Sequence, residues 1–414
     1  MSALPPTHVR WRIVALLSGI VFLAHFNRVS ISVAANANFI GPDKLTEEQM
    51  GLIYSAFLLV YTLGMLPGGW LIDRIGPRRA LTGMGLGLGF WAAMTGVLGW
   101  TNASIAALFV PLLLIRGLAG ATGVPLHPGA ARSVSLWMPL HERSFANGLV
   151  TAGALLGIAF TYPVFGWLME AVGWQMAFAI CGAILMAFTL VWHVLSADRP
   201  AMEMNEETVE PRTDANLRDI ISLLRNRSLV LLTLSYGAIG YVQYLFFYWI
   251  EYYFKNVLKV GAAESRESAF IIAMAMAIGM AAGGWIADGL CRSMGRRWGC
   301  RAMAFVGMSL GAGFSLMGIG TTDANFVTLW FSLALGSLGL CEGVFWTTAP
   351  ILEPRRGGLA CALVNTGGNG IGMLAPIVTP ILGQAFGWNS AIVVACSVCA
   401  LGGLLWLGID ERSP

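Results

Sequence analysis

Charge is what this sequence has least of. Lys, Arg, Asp and Glu make up 11% of its 414 residues, against about 25% in an average soluble protein. It has no long basic run and no zinc-type cysteine spacing, so neither nucleic-acid binding nor a structural metal finds support. There is no H-E-x-x-H and no pair of aspartates inside an apolar run. His127 and His141 flank a loop without ligand spacing, which removes the usual signs of a membrane enzyme. No cofactor is expected. The cysteines (Cys181, Cys291, Cys300, Cys341, Cys361, Cys396 and Cys399) fall mostly in apolar segments and read as buried, inert thiols. The flanks beyond the apolar segments are short, so a receptor with its own signalling domain is not expected. A transporter-like sensor stays open as an alternative.

What the sequence has in excess is apolar length. Hydrophobic residues are 57% of the chain and glycines number 51, as suits helices that approach closely in lipid. Runs near the 20 or so residues that cross a bilayer fall at 12–36, 50–72, 80–100, 104–127, 144–169, 174–195, 227–254, 268–288, 299–320, 325–349, 358–384 and 388–409. Lipid tolerates only helices or closed barrels. The expectation is therefore an all-α membrane protein with twelve transmembrane helices. Ala35-Asn36-Ala37 resembles a signal-peptide cleavage site, but Arg28 interrupts the preceding stretch and many spans follow, so the first helix is expected to be retained.

Arg and Lys set the orientation. With both termini cytoplasmic, the inner side receives Arg10, Arg12, Arg74, Arg78, Arg79, Arg132, Arg143, the arginines of the 196–226 linker, Arg292, Arg296, Arg297, Arg301, Arg355, Arg356 and Arg412. The outer loops keep only Lys44, Lys255, Lys259 and Arg266.

A polar stretch from Ser196 divides the chain, and the two parts repeat at an offset of about 215. GGWLIDRIGPRR (68–79) returns as GGWIADGLCRSMGRR (283–297). Gly153, Gly157 and Gly173-Trp174 return as Gly368, Gly372 and Gly387-Trp388. This predicts six-helix halves at 1–195 and 227–414 around a linker at 196–226, with a site at their interface. Leu217, Ile220, Ile221 and Leu224 share one face of a helix expected to lie on the inner membrane surface.

GGWLIDRIGPRR resembles the G-x-L-x-D-R-x-G-R-R signature of the major facilitator superfamily, and Arg116 with Gly120 resembles its fourth-helix motif. The resemblance covers essentially the whole chain. FNRVSISVAAN, YSAFLLVYTLGMLPGGWLIDRIG and LVNTGGNGIGMLAPIVTP, with Asn365 and Asn369, are similar to the first, second and eleventh helices of the anion:cation symporter family. That resemblance implies transport of sugar acids or other organic anions. Two departures stand out. Asn27 occupies the position where many members carry an acid before the arginine, and Gly123 replaces the fourth-helix glutamate.

The polar residues inside spans are the candidate machinery. A charge at mid-membrane costs roughly 2.5–3.5 kcal/mol. Arg28 reads as the partner of a substrate carboxylate, because its planar fork of donors suits that group. Arg116 reads as structural or coupling. Tyr61 either hydrogen-bonds substrate or packs. His25, on the Arg28 face, is a ligand, a titratable partner or a packed residue. Tyr241, Tyr244 and Tyr248 line one face of the seventh helix, fitting a cavity for hydroxylated substrates or an interfacial belt; Glu251 falls at that helix's outer edge. Glu342 is either a proton carrier or a neutral acid bonded to a helix backbone. Asp73, Arg74, Arg78, Asp288 and Arg296, at inner helix ends, read as gate residues.

Together these imply a secondary active transporter, not an enzyme, in the cell inner membrane. It would move an aldonate or hexuronate by alternating access with protons, as a monomer in the lipid bilayer with no nucleic-acid partner. A uniporter or exchanger of aromatic or short-chain carboxylates is the alternative.

Overall fold

The computed structural model describes residues 7–101, 103–139, 142–197 and 223–410. Among these there is no β-strand, only an isolated bridge from Ile40 to Leu45. The helices are α1 (Thr7–Ala34), α2 (Glu47–Ile75), α3 (Pro77–Leu98), α4 (Phe109–Gly123), α5 (Leu126–Trp137), α6 (Arg143–Phe160), α7 (Gly166–Leu195), α8 (Arg227–Tyr252), α9 (Ala262–Met294), α10 (Arg296–Ile319), α11 (Ala324–Leu352), α12 (Gly357–Gly372), α13 (Ala375–Phe386) and α14 (Trp388–Leu405). Ten segments among the described residues are long and apolar enough to cross a membrane. One of them, Phe145–Leu195, is 51 residues long and holds two rods, because Gly173 (φ 81°) turns the chain back. With α2 as a further rod, the described residues form the twelve expected.

Glycine makes the sharp reversals. Gly76 and Gly295 (φ 82° and 77°) sit at the same place in the two arginine-rich loops, and Gly173 and Gly387 (φ 81° and 87°) in the two Gly-Trp turns. An L side chain rarely adopts such φ. The repeated glycines inside helices also share a task. A Cβ on Gly153 or Gly157 would strike the backbone carbonyls of Ser18 or Phe22 in α1. One on Gly368 or Gly372 would strike the rings of Tyr236 or Tyr244 in α8. Each pair lets one rod lie close against the first rod of its half.

Two rods are broken where the hydropathy pattern gave no warning. The fourth continues beyond the expected end at residue 127, through a break at Val124–Pro125 into α5, whose Arg132, Ser133 and Ser135 end the apolar run but not the helix. The eleventh breaks between α12 and α13. Proline has no N–H to give the carbonyl four residues back. Pro380 therefore leaves the Pro376 carbonyl to the Trp249 indole at 3.2 Å. The Met373 carbonyl at the break accepts from Ser55 Oγ at 2.7 Å.

Thr7 and Asp410, the first and last described residues, lie at one end of the rods, the terminal end; residues 36–47 and 255–262 lie at the other, the far end. Hydrogen bonds between the halves gather at the far end. Glu47 accepts from Tyr252 at 2.6 Å and Gln384 at 3.0 Å, Lys255 donates to the Asn36 carbonyl at 2.8 Å, and Arg266 pairs with Glu170. Tyr54 stacks on Tyr248 at 4.7 Å, and Tyr162 donates to the Phe247 carbonyl at 3.0 Å. At the terminal end, arginines bond inside their own half: Arg78 to the His193 carbonyl, Arg296 to the Thr347 carbonyl and Arg301 to the Ile409 carbonyl. The linker at 198–222, with most of its expected amphipathic face, lies outside the described residues.

Candidate functional site

Arg28 lies between the halves. Its Nη2 donates to the Tyr244 hydroxyl at 2.8 Å, and that hydroxyl donates to Asn369 Oδ1 at 2.6 Å. Asn369 in turn gives its Nδ2 to the carbonyl and Oδ1 of Asn365, at 3.0 and 3.1 Å. One chain of bonds thus runs from α1 through α8 to α12. The guanidinium carbon also sits 4.9 Å from the Phe57 ring centre, 5.6 Å from Tyr61 and 5.2 Å from Tyr244. Each such face offers about 0.5–2 kcal/mol. No carboxylate pairs with Arg28 among the described residues. Arg28 and Tyr244 are only half-buried, so this charge borders open space.

The two replaced family acids have a structural counterpart. A Cβ on Gly123 would lie 3.3 Å from the Phe57 ring edge. The ring that faces Arg28 therefore occupies the space beside the position where the family's glutamate begins. Asn27 points the other way, its Nδ2 donating to the Leu23 carbonyl at 2.9 Å and reaching the Cys181 carbonyl at 3.5 Å.

Arg116 donates to the backbone carbonyl of Arg28 at 2.9 Å. It fixes the helix that carries the site. Tyr61 is 2% exposed and offers Arg28 its ring. Asn365 stands behind Asn369, its Nδ2 4.0 Å from the Met65 sulfur across the halves. Tyr241 is not brought to Arg28; it is buried, and its hydroxyl has no hydrogen-bond partner.

His25 is 6% exposed, with Nδ1 2.9 Å from the Val21 carbonyl. Its ring lies edge-on to His127 at 5.2 Å. Sequence reasoning missed that pairing. His127 belongs to α5, and only the break in the fourth rod carries it to His25; the Pro125 beside it was the available signal.

Glu342, 7% exposed in α11, is held by three donors: the Tyr236 hydroxyl, Gln243 Nε2 at 3.3 Å and Trp346 Nε1 at 3.4 Å. Tyr236 and Gln243 are both on α8, so the carboxyl joins the seventh and tenth rods. Its partners are side chains, not the helix backbone suggested as the alternative. Of the gate residues, Arg78 and Arg296 are bonded as described above, and Arg74 and Asp288 are exposed. The Asp288 carboxylate makes no ion pair among the described residues, while its carbonyl accepts from Arg292 at 3.2 Å. The Asp73 side chain lies outside the described set.

The sequence model of the Major Facilitator Superfamily matches residues 17–353. A probable sulfoacetate transporter of Cupriavidus necator is 27% identical, over 97% of this chain and 94% of its own length. A D-galactonate transporter of Escherichia coli is 25% identical, covering 98% and 97%. A probable galactarate/D-glucarate transporter of Bacillus subtilis is 26% identical, covering 94% and 89%. Among solved structures, a bacterial homologue of the human lysosomal transporter Spinster superposes with a TM-score of 0.81 at 16% identity, covering 99% of this chain and 98% of that one. The family match spans most of the chain, and the fold agrees with it. The chain belongs to the major facilitator superfamily, as a multi-pass membrane transporter and not an enzyme.

Proposed function

We propose that this transporter moves an organic anion by alternating access of its two six-helix halves, with Arg28 as the anion's partner. The observation that carries this reading is the guanidinium between the halves, held by Tyr244 and three ring faces and paired with no acid among the described residues. A substrate carboxylate supplies the missing counter-charge and takes over the donors now turned to Tyr244. The class is a sugar acid, an aldonate or hexuronate. Relatives named for galactonate, galactarate and glucarate support this, as do the amide and hydroxyl edges of Asn365, Asn369 and Tyr244. The far-end clamp supports a conformation closed outward, with both termini cytoplasmic in the cell inner membrane. The protein acts as a monomer divided at 196–226, and Asp73, Arg74, Arg78, Asp288 and Arg296 close the terminal end in the opposite state.

Uptake is proton-coupled through Glu342. A monovalent anion entering against 100 mV is opposed by about 2.3 kcal/mol, roughly 50-fold exclusion at equilibrium. One co-transported proton removes that opposition. With Asn27 and Gly123 unable to carry it, Glu342 is the carboxyl joining two rods near mid-span, and His25 beside His127 is the fallback.

A thermal-shift screen of the purified protein against sugar acids, aromatic acids and neutral sugars tests the substrate class. Ligands that bind the folded state raise its melting temperature. Sugar acids are expected to do so and neutral sugars are not. Stabilisation by aromatic or short-chain acids alone moves the reading to that class, and equal stabilisation by neutral sugars removes the anion site.

A further inference from the structure

The far-end clamp contains a carboxyl that the transport reading does not use. Glu251, in the last turn of α8, is 4% exposed, and its Oε2 has no hydrogen-bond partner. The groups facing it come from every neighbouring element: Asn36 after α1, Tyr54 in α2, Tyr162 between α6 and α7, Lys255 after α8, and Arg266 in α9. None forms an ion pair with it. Lys255 gives its ammonium to the Asn36 carbonyl at 2.8 Å, and Arg266 is engaged by Glu170. The Asn36 amide is buried beside the carboxyl, within its hydrogen-bonding reach, and brings no charge to it.

We propose that Glu251 is a second proton-binding site, filled while the far end is closed and emptied when it opens. An ionised carboxylate sealed without an ion-pair partner is costly, whereas a neutral acid is not. The residues that seal Glu251 are the same ones that join the halves: Lys255, Arg266, Tyr162 and Tyr54. Separating the halves admits water to the carboxyl and leaves Lys255 and Arg266 free to face it, which favours the ionised form. Proton binding and far-end closure are then linked, each favouring the other. The contrast with Glu342, which keeps three donors, separates the two carboxyls' tasks. Glu251 rests on the alternating-access reading. It adds the outer-side event, a proton taken up as the gate shuts behind the substrate.

The test reads conformation without substrate. Spin labels at Lys44→Cys and Ala263→Cys, exposed far-end positions on opposite halves, report gate distance by double electron–electron resonance. The half-buried Cys291 and Cys361 are replaced by serine, and the full chain is held in lipid nanodiscs. In otherwise wild-type protein, raising the pH should move the population toward the longer distance, by as much as about tenfold per pH unit for one linked proton. Glu251→Gln should hold the short distance at every pH, and Glu251→Asp should restore the pH response. A wild-type distance that ignores pH overturns the proposal, as does a Glu251→Gln distance that still follows it. Sugar-acid binding to the same samples reads the central site separately, so failure there is told apart from failure of this gate.

Discussion

The Arg28 guanidinium and the Tyr244 hydroxyl, 2.8 Å apart, are the point at which the first rod of one half meets the first rod of the other. The two residues are 216 positions apart in sequence, almost the offset of the internal repeat. The duplication therefore brings two equivalent rods face to face, with a charge on one and a hydroxyl on the other. A ligand that takes Arg28 from Tyr244 breaks a bond between halves and makes one to itself. Binding and rearrangement share the same atoms.

The close crossings of the first rods are sensitive to single methyl groups. A Cβ on Gly157 would lie 2.2 Å from the Phe22 carbonyl oxygen, a backbone atom that cannot turn aside. Gly157→Ala should destabilise the protein by about 1–3 kcal/mol, the usual effect of overpacking. Gly148, with nothing within 4 Å of its Cβ, is the control. Gly148→Ala should be neutral or gain up to about 1 kcal/mol of helix propensity. Thermal unfolding of both variants in one detergent decides this, and equal stabilities contradict the packing account.

At the terminal end, Asp288 is exposed and its carboxylate makes no ion pair among the described residues in this conformation. Asp288→Asn should leave melting temperature and substrate affinity in this state within about 0.5 kcal/mol of wild type. It should slow full transport cycles, because the missing charge acts only when the terminal end closes. Binding isotherms beside uptake rates check the split. An unchanged uptake rate removes Asp288 from the gate.

Much of this architecture was legible in the sequence. Uniform apolar runs define the rods because lipid leaves no other solution, and paired glycines mark the turns because few residues reach φ near +80°. Arg28 was legible because a charge at that depth demands a reason. The rotation of each rod was not. Helices that are apolar all round have no polar stripe to fix which face turns inward, so Tyr241 and Tyr244 looked equivalent although one meets Arg28 and the other does not. Partners that depend on a break were also hidden. His127 reaches His25 only because the fourth rod restarts after Val124–Pro125, and a hydropathy window that ends at residue 127 discards the helix carrying it. Phe57 beside Gly123 is a packing fact with no local signal.

Glu342→Gln keeps a neutral side chain of the same shape, able to accept from Tyr236 and Trp346. It should retain substrate binding and counterflow exchange while losing accumulation driven by a pH gradient. Proteoliposomes with an imposed gradient make the comparison. If the variant still accumulates substrate, Glu342 is not the carrier; if the wild type ignores the gradient, the symport reading gives way to uniport or exchange.

The central claim is that Arg28 binds the substrate's acidic group, and direct calorimetric titration of wild type and Arg28→Lys tests it most closely. Lysine keeps the charge and the contact with the aromatic faces but loses the planar fork. Hydrogen bonds to charged groups contribute about 1.5–3 kcal/mol, so affinity for a sugar acid should fall roughly 10- to 100-fold while the melting temperature stays near that of wild type. A well-folded Arg28→Lys protein that binds the same acid with unchanged affinity would place the anion elsewhere.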